Sequence, residues 1–153
     1  MAMTMTDSYD LPASREVVWE ALNDPEVLKG CIPGCESFER TEEGGFAAVA
    51  TVKVGPVKAK FKGDVTLSEI DPPNGYRISG QGSGGVAGFA KGGAVVKLTD
   101  AEGGGTTLTY DVEANIGGKL AQLGQRLING SAKKLADEFF DNFRKAVEEK
   151  SAA

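Results

Sequence analysis

Few residues in this chain could do acid–base or nucleophilic chemistry. Histidine is absent from all 153 positions, which removes the commonest general base and the commonest zinc ligand. A Ser-His-Asp or Cys-His nucleophile therefore cannot be assembled. Two thiols, Cys31 and Cys35, flank Ile32-Pro33-Gly34. With no other Cys or His they cannot fill a tetrahedral metal site. They read as reduced thiols in a loop, with redox sensitivity as the alternative. What remains is Asp64, Asp111 and Glu113, together with the hydroxyls of Tyr76 and Tyr110. An enzyme would need one of these carboxylates turned inward as acid or base. Strand alternation turns all three outward and only the two tyrosine hydroxyls inward.

The elements that position these groups follow from periodicity. Lys119 to Glu149 repeats Leu120, Leu123, Leu127, Ile128, Leu135, Phe139, Phe143 and Val147 at steps of mostly three, four and seven. That spacing predicts one apolar stripe on a helix of roughly 31 residues, about 45 Å long. Such a stripe must be laid against another layer. Upstream, Ser14 is a helix cap before Val17, Val18, Trp19 and Leu22, and Pro25 opens a second short helix ending near Lys29. Gly30 to Gly34 breaks it.

From there the rhythm has period two. A short strand, Ser37 to Thr41, turns at Glu42–Gly45. Phe46 to Val54 then turns at Gly55-Pro56 into Val57 to Ser68, with Lys58, Lys60 and Lys62 outward as a solvated face. Asp71–Gly75 turns into Tyr76 to Gly84, and Val86–Gly92 is expected as a loop. Strands around Ala94–Thr99 and Thr107–Ile116 follow, and Gly117-Gly118 releases the chain into the long helix. Strands in sequence with short turns make an antiparallel meander.

Composition bounds the rest. Hydrophobic content of 41% and charged content of 25% are ordinary for one globular domain. A net charge of −5 without a basic block argues against nucleic acid as partner. No apolar run approaches the ~20 residues of a membrane span and no signal peptide is read, so the expected location is cytoplasmic. Glycine is the outlier, with 21 residues against about 7% in ordinary usage. Gly80, Gly82 and Gly84 share one strand face, and Gly124, Gly130, Ser131 and Ala132 interrupt the helical stripe. The expected consequence is an interior hollow beside the bending that strand glycines allow. Gly30–Gly34, Gly55-Pro56, Val86–Gly92 and Gly117-Gly118 are expected at one rim, with Phe89 as a lid or an aromatic tucked into its own loop.

This pattern resembles the START/Bet v 1-like helix-grip (SRPBCC) superfamily, and within it the carbon monoxide dehydrogenase G-subunit family. The resemblance runs from about Met3 to Val147. It is carried by Val18-Trp19 with Leu22, Asp24-Pro25 followed by Cys31-Ile32-Pro33-Gly34, and Val54-Gly55-Pro56-Val57 with Phe61-Lys62-Gly63. It continues through the Gly80–Gly84 run, Thr107-Leu108-Thr109-Tyr110, and Gly117-Gly118 leading to Leu123-Gly124 and Phe139-Phe140. It implies an α+β helix-grip fold: a curved antiparallel seven-stranded sheet around a long C-terminal helix, with two short N-terminal helices. Residues 1–150 would be a single domain and 151–153 a short tail. It also implies a non-catalytic accessory of a molybdenum-containing hydroxylase, linked to the membrane or to a quinone-like acceptor. Such family members often continue into a Pro-rich linker and apolar anchor. This chain stops at Ala153, so transient contact through the apolar rim, at the inner face of the membrane, is the expectation.

The leading reading is a carrier for a hydrophobic small molecule, a quinone or lipid, with no other cofactor and no metal. Its expected walls are Val52, Phe61, Val65, Ile78, Val96, Tyr110 and Val112 from strands, Leu123, Leu127 and Phe139 from the helix, and Phe89 at the lip. Burying such a ligand needs no titratable group. The alternatives are a cyclase/aromatase-like enzyme on the same fold, or an interaction subunit with a dry, packed core.

Overall fold

The computed structural model of the protein describes residues 1–42 and 44–152. Glu43 in the expected Glu42–Gly45 turn and Ala153 in the expected tail lie outside the described residues. Seven strands form one antiparallel sheet: β1 (Ala2–Leu11), β2 (Cys35–Arg40), β3 (Gly45–Val54), β4 (Val57–Asp71), β5 (Gly75–Ser83), β6 (Phe89–Asp100) and β7 (Thr106–Gly117). Their spatial order is β1-β7-β6-β5-β4-β3-β2. The meander runs from β2 to β7, and β1 joins its far edge by pairing Ala2–Leu11 along Asn115–Thr106.

Two short helices, α1 (Arg15–Leu22) and α2 (Pro25–Cys31), connect β1 to β2. Both begin as the sequence dictates. The Ser14 side chain accepts a hydrogen bond from the Val17 amide, and that of Asp24 accepts one from Glu26, with Pro25 in the first turn. These caps satisfy amides that have no partner inside the helix.

The long helix starts later than its apolar stripe. Gly118–Leu123 forms a 3-10 helix, and α3 runs from Gln125 to Ala152. Between them Gly124 takes φ +91°, a left-handed conformation that stops a helix and that glycine adopts readily. Gly124 is thus a break and not a mid-helix interruption. Leu120 and Leu123 reach the interior from the 3-10 segment. The remaining 28 residues still span about 42 Å. α3 packs most closely on α1, α2 and β1.

Alternation along the strands holds almost throughout. In β4 the residues from Val57 to Leu67 are half-buried at odd positions and exposed at even ones. The sheet therefore has an inner face toward α3 and an outer face toward solvent. Val86 to Gly92 is not a continuous loop: Gly85–Ala87 is one 3-10 turn and β6 already begins at Phe89.

Candidate functional site

The inner face holds two separate packed groups. The first joins Val18, Tyr76, Val96, Leu98, Leu108 and Tyr110 to Phe143 and Val147 in the second half of α3. The second, around Gly55 and the start of α3, joins Met3, Val54, Ile116, Leu120 and Ile128. Between them the apolar wall is incompletely covered. Val52, Phe61, Val65, Ile78 and Val112 all face inward and are only half-buried, as are Leu123 and Phe139. Val65, Ala48 and Ala50 pack into neither group. A helix laid tightly on a sheet would close such positions to water, as it does for Phe143 and Val147, both 0% exposed. The inner face therefore keeps a half-exposed apolar strip beside the two packed groups, with Val112 touching both.

The expected site residues divide on this geometry. Val52, Phe61, Val65, Ile78, Val112, Leu123 and Phe139 are half-buried on the inner face, and all but Val65 pack against one or both of the two groups. Val96 and Tyr110 face the same way but are committed to the first packed group, at 7% and 5% exposure. Leu127 is 38% exposed, and its Cδ2 lies 2.7 Å from where a Cβ on Gly55 would stand. It rests on the Gly55 turn at the rim and does not continue the inner stripe. Phe89 is neither a lid nor tucked into its own loop. As an odd-numbered residue of β6 it falls on the outer face, and its ring covers Gly117 of the neighbouring strand. The physical reason is period two: once β6 begins at Phe89, Ala90 takes the inward place.

The β5 glycines do less to hollow the interior than their number suggests. A Cβ on Gly80 would stand 2.5 Å from Val65 Cγ1, and one on Gly84 would stand 2.7 Å from the Phe61 ring. These glycines let neighbouring side chains lie flat on the sheet. Only Gly82 leaves room, with nothing closer than 3.7 Å. Ala48 and Ala50, small side chains of β3, are half-buried on the same face and pack into neither group. Their significance is masked in the sequence by the all-apolar run around them.

Titratable groups gather at one seam, where β1 meets α3. The Tyr9 hydroxyl donates to Asp137 Oδ1 at 2.6 Å. Lys133 Nζ bridges Asp7 at 2.8 Å and Asp137 at 2.7 Å. Donation from Lys133 holds both carboxyls below their usual range, helped at Asp137 by Tyr9. The two carboxylates in turn raise the Lys133 ammonium. Burial first, and donation to Asp137 second, push the Tyr9 phenol upward. Tyr9, Phe140 and Tyr110 stack beneath, with ring centroids 4.3 Å and 5.7 Å apart along the series. The Tyr110 hydroxyl, wholly enclosed, has no hydrogen-bond partner among the described residues. Its neighbour Tyr9 perturbs its titration but aims its own proton at Asp137. The i,i+4 spacing of Lys133 and Asp137 was the available sequence signal for this seam.

The inner face brings in two phenols, Tyr76 and Tyr110. Burial raises the Tyr110 phenol and pushes that of Tyr76 up to about 12. Both stay protonated near neutrality and are poor bases. Asp64, Asp111 and Glu113 are exposed on the outer face, where they line a hollow of about 890 Å³. Cys31 is buried, Cys35 half-buried, and both are free thiols. Burial raises both and so disfavours the reactive thiolate. Among the described residues no group of three His, Cys, Asp or Glu side chains could hold a metal ion. None of their helices is long and apolar enough to cross a membrane.

A seven-stranded antiparallel sheet gripping one long C-terminal helix defines a Bet v 1-like fold, and solved structures agree. The Zhui aromatase/cyclase from Streptomyces sp. R1128 matches with a TM-score of 0.71 at 13% identity, covering 97% of this chain and 94% of its own. Ara h 8.0201 matches at 0.65 and 18%, covering 97% and 99%. A conserved protein from Geobacillus kaustophilus is far nearer, with a TM-score of 0.90 at 35% identity over 96% of both chains. None of the curated proteins matches the sequence. The family model for the G-subunit of carbon monoxide dehydrogenase (CoxG) matches residues 8–148, and the chain belongs to that family.

Proposed function

We propose that the protein is a non-catalytic carrier of an apolar small molecule, a quinone or a lipid, and serves as accessory to a molybdenum-containing hydroxylase of the carbon monoxide dehydrogenase type. One observation carries this reading: Val52, Phe61, Val65, Ile78, Val112, Leu123 and Phe139 form an inward apolar wall that stays half-covered beside the two packed groups. Residues 1–150 act as one domain in this reading. A flat apolar ligand replaces water against that wall, at about 25 cal/mol for each Å² of apolar surface covered. The tyrosines of the inner face, held protonated, support carriage over turnover.

The rim gives the route. Val86, 83% exposed, and Leu127, 38% exposed, flank the Gly55 turn side of the cleft. They suit transient contact with the inner face of the membrane, where an apolar cargo partitions; the protein itself works from the cytoplasm. Native mass spectrometry tests the reading after incubation with 2-methyl-1,4-naphthoquinone or with an extracted lipid mixture. A one-to-one adduct is expected, displaced by excess of the other ligand. The bare chain mass in every incubation overturns carriage.

A further inference from the structure

The outer face of the β3–β4 hairpin carries a feature the cleft does not use. Lys53, Lys58, Lys60 and Lys62 are all exposed there. Register sets Lys53 directly opposite Lys58, Lys60 opposite Thr51, and Lys62 opposite Val49. Like charges directly opposite on one sheet face destabilise it. The chain has 22 acidic residues against 17 basic ones, so four lysines on one hairpin face are not its average surface. Among the described residues only Lys60 finds a carboxylate, Glu36 at 3.3 Å; Lys53, Lys58 and Lys62 make no ion pair. Half-buried Val49 and Thr51 form a low floor between them.

We infer that this face docks an acidic protein surface, that of the enzyme partner; the inference rests on the accessory reading above. A rigid strand spaces Lys58, Lys60 and Lys62 at about 7 Å intervals, a fixed array suited to a fixed set of carboxylates. A bilayer fits the array poorly. The rim points along the strand ends, whereas the lysines point along the sheet normal. Lys53 and Lys58 flank the Gly55 turn, but Lys60 and Lys62 lie roughly 13 and 20 Å back from Pro56 along the strand, so a bilayer touching that turn would leave half the array unmatched. Charged arrays of this kind govern the association rate and its salt dependence.

The test uses the full chain and the purified carbon monoxide dehydrogenase of the same source, with association followed by interferometry at about 50 and about 300 mM salt. A patch variant carries Lys53→Gln, Lys58→Gln, Lys60→Gln and Lys62→Gln. A control of equal charge carries Lys97→Gln, Lys119→Gln, Lys134→Gln and Lys145→Gln. The patch variant is expected to associate about tenfold more slowly with a flattened salt dependence, and the control within about twofold of the wild type. Equal losses in both variants would mean net charge alone acts, and would overturn the docking face. Loss of binding to phosphatidylglycerol vesicles by the patch variant, with enzyme association intact, would overturn it in favour of lipid. No association by the wild type removes the partner and this face together, while a quinone adduct in mass spectrometry would leave carriage standing.

Discussion

At Gly80 a Cβ would stand 2.5 Å from Val65 Cγ1 and 2.9 Å from the Asp64 carbonyl oxygen. Two residues on, at Gly82, the nearest atom is 3.7 Å away. Sequence gives these glycines the same face of the same strand, so their roles were indistinguishable before the neighbours were placed. Gly80→Ala is expected to cost roughly 1–3 kcal/mol by overpacking, whereas Gly82→Ala is expected to be neutral or slightly stabilising, since alanine also restricts the unfolded chain. Urea unfolding of the two variants decides this. Pairing Gly80→Ala with Val65→Ala should recover part of the loss but not all, because the Asp64 carbonyl remains. Equal costs at both positions would mean that strand bending, not side-chain room, explains β5. Phe89 illustrates the same limit. Its type and flanking glycines were legible, but one residue of strand start decided which face it took.

Among elements, the β1–α3 seam adds a small pH-dependent hold of the helix on the sheet edge. Asp7, Asp137 and Lys133 form it, and folding lowers both carboxyls from the ordinary value of 3.8. A group lowered by folding contributes stability above its unfolded pKa and loses it as pH falls through the folded value. The seam is therefore complete at about pH 5 and above, and fades below about pH 4. Because all three charges are solvent-facing, the effect is small and screened by salt. Lys133→Met should lower the melting temperature at about pH 6, with the difference from wild type closing by about pH 2.5. A difference independent of pH would assign Lys133 a packing role through its contact with the Tyr9 ring, 6.0 Å away. The helix caps, the apolar stripe of α3 and the alternation of β3 to β7 were all legible, because each is set by local period. The break at Gly124 was not. Its neighbours continue the apolar spacing, and only φ +91° separates the 3-10 segment from α3.

For the whole molecule the question is whether the space between sheet and helix is used. The order of the β2–β7 meander was readable from short turns and alternation, whereas the pairing of β1 with β7 joins positions about 100 residues apart and left no local signal. The size of the cleft was not readable, because it depends on how far α3 stands from the middle strands. The packed groups at either end fix that distance: Val18, Leu108, Phe143 and Val147 at one, Val54, Ile116 and Ile128 at the other. Ala48 lies opposite Gly63 on the inner wall, half-buried and outside both groups. Ala48→Phe should therefore place a ring in the cleft without disturbing either plug. Its melting temperature should equal or exceed that of the wild type, since the added ring buries apolar surface, while affinity for 2-methyl-1,4-naphthoquinone, read by quenching of Trp19, should fall at least about tenfold. In a tightly packed interior the same ring would be destabilising by overpacking, roughly 1–3 kcal/mol. A stable variant that no longer binds therefore locates the ligand between sheet and helix. An unstable one would show that the inner wall is already packed and has no room for a ligand.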